Sequence, residues 1–222
     1  MVTRLDVAPG VVYWPEFFAP AEQAVLLKDV LARVAEAPFY RPTMPGSGKP
    51  LSVEMTNFGP LGWITDQIKG YRYEPSHPVT GVPWPKIPSD LLTLWSDVTG
   101  YPALPEACLV NFYSADARMG LHRDQDEEPR NAPVLSVSLG DTALFRFGGS
   151  TRRHPTRTLK LASGDVLMFG GPARLMYHGV DRIQARTSGL LPRGGRINLT
   201  LRRVTTPEMV NMRHKRSGRL GG

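Results

Sequence analysis

Short strand-like runs separated by turn residues fill the second half of the chain and restrict its possible folds more than any other feature. The runs occupy positions 108–113, 134–139, 143–147, 158–161, 166–169, 175–178 and 196–202. The 222-residue chain also contains 22 Gly and 21 Pro, which favour turns over long helices. Many short strands of this kind are typical of a double-sheet jelly roll or a small barrel. We therefore predict a mainly β fold.

The first half of the chain predicts helices that flank these strands. Pro20 begins a stretch with apolar residues at helical spacing up to position 37. A second helix is predicted at 91–98, with Ser89 and Asp90 as candidate caps and Gly100 at its end. Between the helices, residues 39–88 have no sustained periodicity and are rich in Pro, Gly and aromatic residues. A long irregular segment in a compact domain often forms a binding lid.

These patterns predict a single domain over residues 1–205, with a lid at about 39–88 and a jelly-roll core at about 107–204. Residues 206–222 are basic and polar, and we expect them to form a mobile tail. The amino terminus lacks the pattern of a signal peptide, and no apolar run approaches the length of a membrane span. We expect a soluble cytoplasmic monomer without membrane contact.

The charge and cysteine content narrow the candidate partners and sites. A net charge of +7 favours a polyanionic partner, because Lys and Arg gain affinity by releasing counterions from phosphates. The same charge also serves solubility, so nucleic acid is only one candidate at this point. The single cysteine, Cys108, excludes an intramolecular disulfide and a Cys-based zinc cluster. We expect it to be a small buried residue of a strand.

Three residues suggest a metal site. His122 and Asp124 are two positions apart, so on an extended chain their side chains project to the same side. Such a pair alone is a weak signal, but a third candidate, His178, is predicted to close a separate strand. Two His and one carboxylate form the facial triad of non-haem iron enzymes, which leaves coordination positions open for catalysis. The sequence therefore predicts an iron site, although Mn or Co could occupy the same residues.

The run at 196–202 (RINLTLR) alternates strictly between apolar and polar residues. One face of this predicted strand carries Arg196, Asn198, Thr200 and Arg202. Two arginines inside a barrel require an anionic partner, since isolated buried charges are strongly disfavoured. A dicarboxylate would satisfy both through charge-assisted hydrogen bonds, helped by Asn111 and Tyr113, which share a face of their own strand. The alternative is an exposed basic strip on an edge strand.

Eight motifs follow one another along the second half of the chain. They are LVNFY (109–113), LHRDQDE (121–127), PVLSVSLG (133–140), FRFGG (145–149), GD (164–165), GG (170–171), YHG (177–179) and RINLTLR (196–202). In this order they resemble the AlkB family of Fe(II)- and 2-oxoglutarate-dependent nucleic-acid demethylases. Weaker similarity at 52–73 and 83–88 extends the resemblance over most of the domain. It implies a double-stranded β-helix (jelly-roll) core with flanking helices, one of them N-terminal, and an irregular substrate lid.

The resemblance also implies cofactors, roles and a reaction. By the matched motifs the iron ligands are His122, Asp124 and His178. The residues matched to 2-oxoglutarate binding are Asn111, Tyr113, Arg196, Asn198 and Arg202. The implied enzyme repairs DNA, with RNA as a further candidate, by dealkylating bases such as 1-methyladenine and 3-methylcytosine. It uses Fe(II), O2 and 2-oxoglutarate, and it releases succinate, CO2 and an aldehyde.

Four residues match the family's substrate side. Asp126 resembles a carboxylate near the amino edge of the base, and Trp63 and Tyr71 resemble lid aromatics, although their spacing departs by one residue from the bacterial pattern. Arg152 matches a position that contacts substrate. The aromatics could instead simply pack the lid, and Arg152 could belong to a solvated loop. His77 and His214 have no partner at ligand spacing and are predicted to be surface residues.

Two rival hypotheses stay open. The chain could be a 2-oxoglutarate dioxygenase that acts on RNA, protein or a small metabolite. It could also be a non-catalytic nucleic-acid-binding module of the same fold. The basic charge and Asp126 favour a nucleobase as the substrate.

Overall fold

The computed structural model describes residues 2–207, and within them the chain forms two α-helices and thirteen strands. In chain order the elements are β1 (Leu5–Ala8), β2 (Val11–Trp14), α1 (Pro20–Glu36), β3 (Glu54–Phe58), β4 (Gly62–Asp66), β5 (Gly70–Glu74), α2 (Ser89–Thr99), β6 (Ala107–Tyr113), β7 (Met119–His122), β8 (Val134–Gly140), β9 (Thr142–Gly148), β10 (Thr156–Leu161), β11 (Val166–Phe169), β12 (His178–Gln184) and β13 (Arg196–Arg202). From position 208 onward the predicted tail, with His214, lies outside the described residues. No helix within residues 2–207 is long and apolar enough to cross a membrane.

The strands form two antiparallel sheets and a separate hairpin. The larger sheet has the order β1-β2-β11-β8-β13-β6-β3, the smaller has the order β10-β9-β12-β7, and β4 pairs with β5. One core cluster joins the larger sheet to both helices and includes Leu26, Trp95 and Ile197. A second cluster contains residues of both sheets, such as Leu109 and Phe145. The two sheets therefore face each other across an interior, and the helices cover the outer side, which confirms the mainly β fold with flanking helices.

The helices confirm the sequence prediction except for one cap. Helix α1 begins at Pro20 and buries Leu27 and Val30, which belong to the apolar set at helical spacing, and it also buries Leu26. Helix α2 begins at Ser89 itself, after Pro88, and no side chain caps it by a hydrogen bond. The predicted capping role of Ser89 and Asp90 is therefore wrong, because both residues already lie in the first turn. Asp90 can still interact there with the helix dipole. The predicted end is correct, since Gly100 adopts the left-handed conformation at φ 62°.

The strand prediction is wrong for 175–178. A 3-10 turn at Gly171–Ala173 precedes this segment, and the Met176 N–H donates to the Ala173 carbonyl at 3.0 Å. The chain therefore still turns there, and His178 begins β12 rather than ending a strand. In the predicted lid, β3 belongs to the larger sheet beside β6, whereas the β4–β5 hairpin pairs only with itself.

His77 is also not a surface residue, as only 2% of it is exposed. Its Nε2–H donates to the Pro38 carbonyl at 2.8 Å, while Nδ1 accepts the N–H groups of Val79 and Thr80. The ring therefore organises the loop that follows β5. The expectation for Cys108 is confirmed, since it is buried in β6.

Candidate active site

The three predicted metal ligands meet at one end of the smaller sheet. His122 ends β7 and lies directly opposite His178 in the strand register. The Nε2 atom of each histidine lies 3.7 Å from a carboxylate oxygen of Asp124, and the three ligand atoms all lie within 4.8 Å of one another. Asp124 lies two residues beyond the end of β7, in a segment without regular secondary structure.

A glycine permits this close approach of the two strands. A Cβ atom at Gly179 would lie 2.5 Å from the carbonyl oxygen of Met119 and 2.9 Å from that of Gly120. Any side chain at this position would therefore push β12 away from β7. Since Gly179 follows His178 directly, the separation of the two histidines depends on it.

Both histidines are oriented to offer the same ring atom. Nδ1–H of His122 donates to the Gly120 carbonyl at 2.9 Å, and Nδ1–H of His178 donates to the Met176 carbonyl at 3.1 Å. A carbonyl oxygen only accepts, so each Nδ1 carries a proton and Nε2 is the ring atom left to bind a metal. Backbone carbonyls fix metal-ligating histidines in this way in many metal sites.

The protonation states also suit a metal ion. Burial and the neighbouring His122 lower the pKa of His178 to about 4, although Asp124 opposes the shift. Burial alone would raise the pKa of Asp124, but Arg202, the two imidazoles and Arg174 hold it at about 2. At neutral pH the site therefore contains a neutral imidazole and an ionised carboxylate, which are the forms that bind metals.

The alternation of β13 is confirmed by its two environments. Its apolar residues Ile197, Leu199 and Leu201 belong to the core between the larger sheet and the helices. Its polar residues line a cavity of about 610 Å³, together with the three metal ligands. Asn111 and Tyr113 of β6 pair with Asn198 and Arg196 in the register and line the same cavity.

Arg196 lacks an internal anion. It is 1% exposed, donates to the Ser138 hydroxyl at 2.8 Å and to the Leu161 carbonyl at 3.2 Å, and makes no salt bridge within residues 2–207. Burial lowers its pKa to about 10, although Tyr113 and Asp165 raise it, so the side chain stays charged at neutral pH. A buried cation without a counterion, facing a cavity, fits a carboxylate ligand.

Several other polar atoms of this cavity lack partners within the described residues. They are Nε of Arg196 and Arg202, Oδ1 of Asn111 and Oδ2 of Asp124. Buried polar groups are normally hydrogen-bonded, so several unpartnered polar atoms around one cavity indicate a ligand-binding site. The unpaired donor of Arg196 suits a carboxylate of a keto-acid, and the unpaired oxygen of Asp124 suits a cation.

Arg202 differs from the sequence prediction. Its Nη2 atom lies 2.7 Å from Asp124 Oδ1, and its Nη1 atom lies 2.9 Å from Glu127 Oε1. Arg202 therefore has counterions within the protein, so the argument from an unpaired buried charge applies to Arg196 alone. Its Nε atom still lacks a partner and the side chain lines the cavity, so its contact with 2-oxoglutarate stays a prediction. The sequence pattern could not reveal the ion pair between Arg202 and Glu127, because the two residues are 75 positions apart in the chain.

The mouth of the cavity contains the predicted aromatic and acidic residues. Nε1 of Trp63 donates to Asp126 Oδ2 at 2.8 Å, and the Trp63 ring stacks on Tyr71 with centroids 5.5 Å apart. Tyr71 is 49% exposed. All three residues line the cavity, so the structure brings them to the same opening as the metal ligands.

Two arginines contact one half-buried ring, that of Tyr177, at the same opening. The guanidinium of Arg152 lies 5.7 Å from the centre of the Tyr177 ring, and that of Arg123 lies 5.4 Å from it. The sequence prediction included Arg152 but missed Arg123 and Tyr177. Both missed residues belong to motifs next to the metal ligands, at 121–127 and 177–179, and their position beside His122 and His178 was the available signal.

Comparisons with known proteins agree with this geometry. The model of the 2OG-Fe(II) oxygenase superfamily matches residues 10–202. The chain is 53% identical over 204 residues to an alpha-ketoglutarate-dependent dioxygenase AlkB homolog of Caulobacter vibrioides, with 91% of each chain covered. It is 41% identical over 207 residues to the alpha-ketoglutarate-dependent dioxygenase AlkB of Escherichia coli, with 91% of this chain and 94% of that protein covered.

A solved structure of OsALKBH1 has a TM-score of 0.79 and 30% sequence identity, and the match covers 90% of this chain and 100% of that one. The fold, the sequence and the His-Asp-His cluster thus lead to the same family. Fe(II) and 2-oxoglutarate are accordingly the metal and the co-substrate of this dioxygenase. The chain belongs to the AlkB group of the 2OG-Fe(II) oxygenase superfamily.

Proposed function

We propose that this enzyme repairs nucleic acid by oxidatively removing alkyl groups from damaged bases, with DNA as the main substrate and RNA as a further one. The observation that carries the proposal is the joint cavity. Metal ligands, an uncompensated arginine and an aromatic, acidic mouth open into one space of about 610 Å³. This volume is within the usual range for small-ligand sites and can hold a keto-acid and an extruded base.

The floor of the cavity would hold the cofactors. His122 and His178 offer Nε2 and Asp124 offers a carboxylate oxygen to Fe(II). Arg196 would bind one carboxylate of 2-oxoglutarate, with Asn111, Tyr113 and Asn198 beside it. The unpaired Nε of Arg202 would face the co-substrate from the other end of β13. When bound, Fe(II), O2 and 2-oxoglutarate supply the oxidation of the carbon attached to the base nitrogen, with succinate, CO2 and an aldehyde as products. The buried floor keeps bulk water away from this chemistry.

The mouth would receive the base. A base treated by such an enzyme must leave its stack, and an aromatic ring replaces part of the lost stacking. Trp63 and Tyr71 provide aromatic rings, while the Asp126 carboxylate can accept a hydrogen bond from an exocyclic amino group. In the structure Trp63 Nε1 donates to Asp126, so a bound base would have to share or replace this hydrogen bond.

Arg123 and Arg152 would contact the phosphates next to that base. Both are exposed at the mouth, and neither makes a salt bridge within residues 2–207. Guanidinium groups bind phosphate oxygens well and position a strand without reading its sequence. The net charge of +7 supports the same conclusion.

The test is a demethylation assay. The protein is incubated with Fe(II), 2-oxoglutarate and single-stranded DNA or RNA oligonucleotides that carry 1-methyladenine or 3-methylcytosine. We expect the mass of one methyl group to be replaced by that of hydrogen, with one succinate formed for each methyl group removed. His122→Ala should form none, whereas His154→Ala, at an exposed histidine outside the cavity, should remain active. Succinate formation on another substrate, without demethylation of any oligonucleotide, would overturn the repair proposal.

We also propose that the enzyme acts in the cytoplasm as a monomer, with residues 1–205 as its single catalytic domain. The ligand set His122, Asp124 and His178 is complete within one chain, which supports activity without a second subunit. Light scattering on a sizing column should give the mass of one chain, and an active species with twice that mass would contradict the proposal.

A further inference from the structure

Arg174 lies directly behind the metal centre and belongs to none of the eight sequence motifs. It is 2% exposed, and each of its three guanidinium nitrogens has a partner. Nη1 donates to the main-chain carbonyl of Asp124 at 2.6 Å, and Nε donates to that of Ala132 at 2.7 Å. Nη2 lies 2.9 Å from Glu127 Oε2. One guanidinium thus bonds to three residues of the segment 124–132, which carries the metal-binding carboxylate of Asp124.

Glu127 connects Arg174 with the cavity floor. It is 1% exposed, and its second oxygen, Oε1, accepts hydrogen bonds from Arg202 and from the Tyr73 hydroxyl. The cavity lining includes Asp124 and Asp126 but not Glu127. In this structure Glu127 therefore contacts protein groups rather than the space that a substrate would occupy.

The four charged groups form a balanced buried set. Asp124 and Glu127 supply two carboxylates, Arg174 and Arg202 supply two guanidiniums, and all four residues are less than 9% exposed. Arg202 bridges the two carboxylates, and Arg174 holds Glu127 from the other side. Removing one member would leave a buried charge without its partner, so the position of each group depends on the others.

We infer that Arg174 and Glu127 are positioning residues for the metal centre. Arg174 fixes the main chain at Asp124, and Glu127 fixes Arg202 against the Asp124 carboxylate. The inference rests on the assignment of His122, Asp124 and His178 as iron ligands. Residues behind a metal ligand set its orientation, and their loss typically weakens metal binding about 10- to 100-fold.

The chain contains a matched control. Arg203 is also buried, donates to the main-chain carbonyls of Thr205 and Leu104, and pairs with Glu106 at 3.4 Å. It has the same kinds of partner as Arg174 and, like Arg174, does not line the cavity. Unlike Arg174, it makes no hydrogen bond to a metal ligand among the described residues. Comparing the two arginines separates the effect of losing a buried guanidinium from the effect of losing one behind the metal.

The experiment titrates Co(II) into metal-free wild-type, Arg174→Lys and Arg203→Lys proteins by calorimetry, after their melting temperatures are measured. Lysine keeps the charge but cannot bridge three acceptors with a planar fork. Both variants should melt at lower temperature than wild type. Only Arg174→Lys should bind Co(II) more weakly, by about 10- to 100-fold. Wild-type affinity in folded Arg174→Lys would overturn the inference.

Two further variants keep the test decisive. Glu127→Gln preserves shape but removes the charge, so it should also weaken Co(II) binding even if Arg174→Lys fails to fold. Unchanged affinity in Glu127→Gln would contradict the inference. His178→Ala tests the metal site itself: if this variant keeps wild-type affinity, the ligand assignment fails. If His178→Ala loses Co(II) while Arg174→Lys and Glu127→Gln keep it, only the positioning role is wrong.

Discussion

The two ends of β13 present the same side chain in opposite electrostatic settings. Arg196 and Arg202 both face the cavity and are both buried. Arg196 has only a hydroxyl and a carbonyl as partners, whereas Arg202 has Asp124 and Glu127. The first end therefore keeps its positive charge for a ligand. The second end neutralises its charge within the protein, where it holds the metal-binding carboxylate in place.

The largest difference should come from replacing each arginine by methionine. Arg202→Met leaves Asp124 and Glu127 without their main buried counterion, which should lower the free energy of unfolding by about 3–5 kcal/mol. Arg196→Met strands no charged partner, so its loss should be smaller, about 1–3 kcal/mol. Urea unfolding of the metal-free proteins measures both values. Equal losses would mean that the two ends do not differ as described.

Lowering the pH below 7 should destabilise the metal centre, which lies at the Arg202 end of β13, and should leave the charge of Arg196 unchanged. Burial lowers the pKa of His178 to about 4, from 6.5 in an unfolded chain. Between these pH values the unfolded state binds more protons than the folded state. The contribution of His178 to the free energy of unfolding is therefore fully present above about pH 6.5 and is lost as the pH falls toward 4. The loss should be about 3 kcal/mol. Arg196, with a pKa of about 10, stays protonated throughout.

Unfolding of the metal-free protein at pH 7 and pH 4.5 measures this dependence. His178→Gln should remove most of it, because glutamine does not titrate. The same pH dependence in the variant would assign the effect to other groups. Asp124, with a pKa of about 2, should contribute only below about pH 4.

At the Arg196 end the expected effect is on the co-substrate. Arg196→Met should weaken 2-oxoglutarate binding by about 1.5–3 kcal/mol, the usual value of hydrogen bonds to charged groups, which is about 10- to 100-fold in affinity. Binding of Co(II) should stay close to wild type, because Arg196 makes no salt bridge to the metal ligands. Loss of Co(II) binding in this variant would show that the two ends are not separate in function.

The smallest expected effect is that of Tyr73, which joins the β4–β5 hairpin to the Arg202 end. Its hydroxyl bonds to Glu127 and lies 3.3 Å from Arg202 Nη1. Tyr73→Phe removes one hydroxyl and should lower the free energy of unfolding by about 0.5–1.5 kcal/mol. Tyr71→Phe, at an exposed position on the same strand, is the control and should leave stability unchanged. A similar loss in both variants would remove Tyr73 from the network.

The sequence predicted what depends on local periodicity. The alternation at 196–202, the helix from Pro20 and the pairing of Asn111 with Tyr113 on one face all follow from spacing along a single element. To predict the metal triad, one must also know that the strands of His122 and His178 meet. The motifs around the two histidines indicated this contact. The prediction of a strand at 175–178 was wrong, because a 3-10 turn precedes this segment and His178 begins β12.

The ion network behind the metal could not be predicted in this way. Glu127 lies 47 positions from Arg174 and 75 from Arg202, so no local pattern links them. Arg202 resembled Arg196 in the sequence because both occupy the same face of one strand. Only the position of the segment after β7, which carries Asp124 and Glu127 beside the end of β13, distinguishes the two arginines.

The most direct measurement of this division is a paired titration of Arg196→Met and Arg202→Met with Co(II), followed by 2-oxoglutarate. We predict that Arg196→Met binds Co(II) normally and 2-oxoglutarate about 10- to 100-fold more weakly. We predict that Arg202→Met, titrated under conditions in which the variant is folded, binds Co(II) itself more weakly. The reason is that the Asp124 carboxylate has lost its ion pair with Arg202. Normal Co(II) affinity in Arg202→Met, or weakened Co(II) affinity in Arg196→Met, would contradict the assignment of the metal-holding role to the Arg202 end.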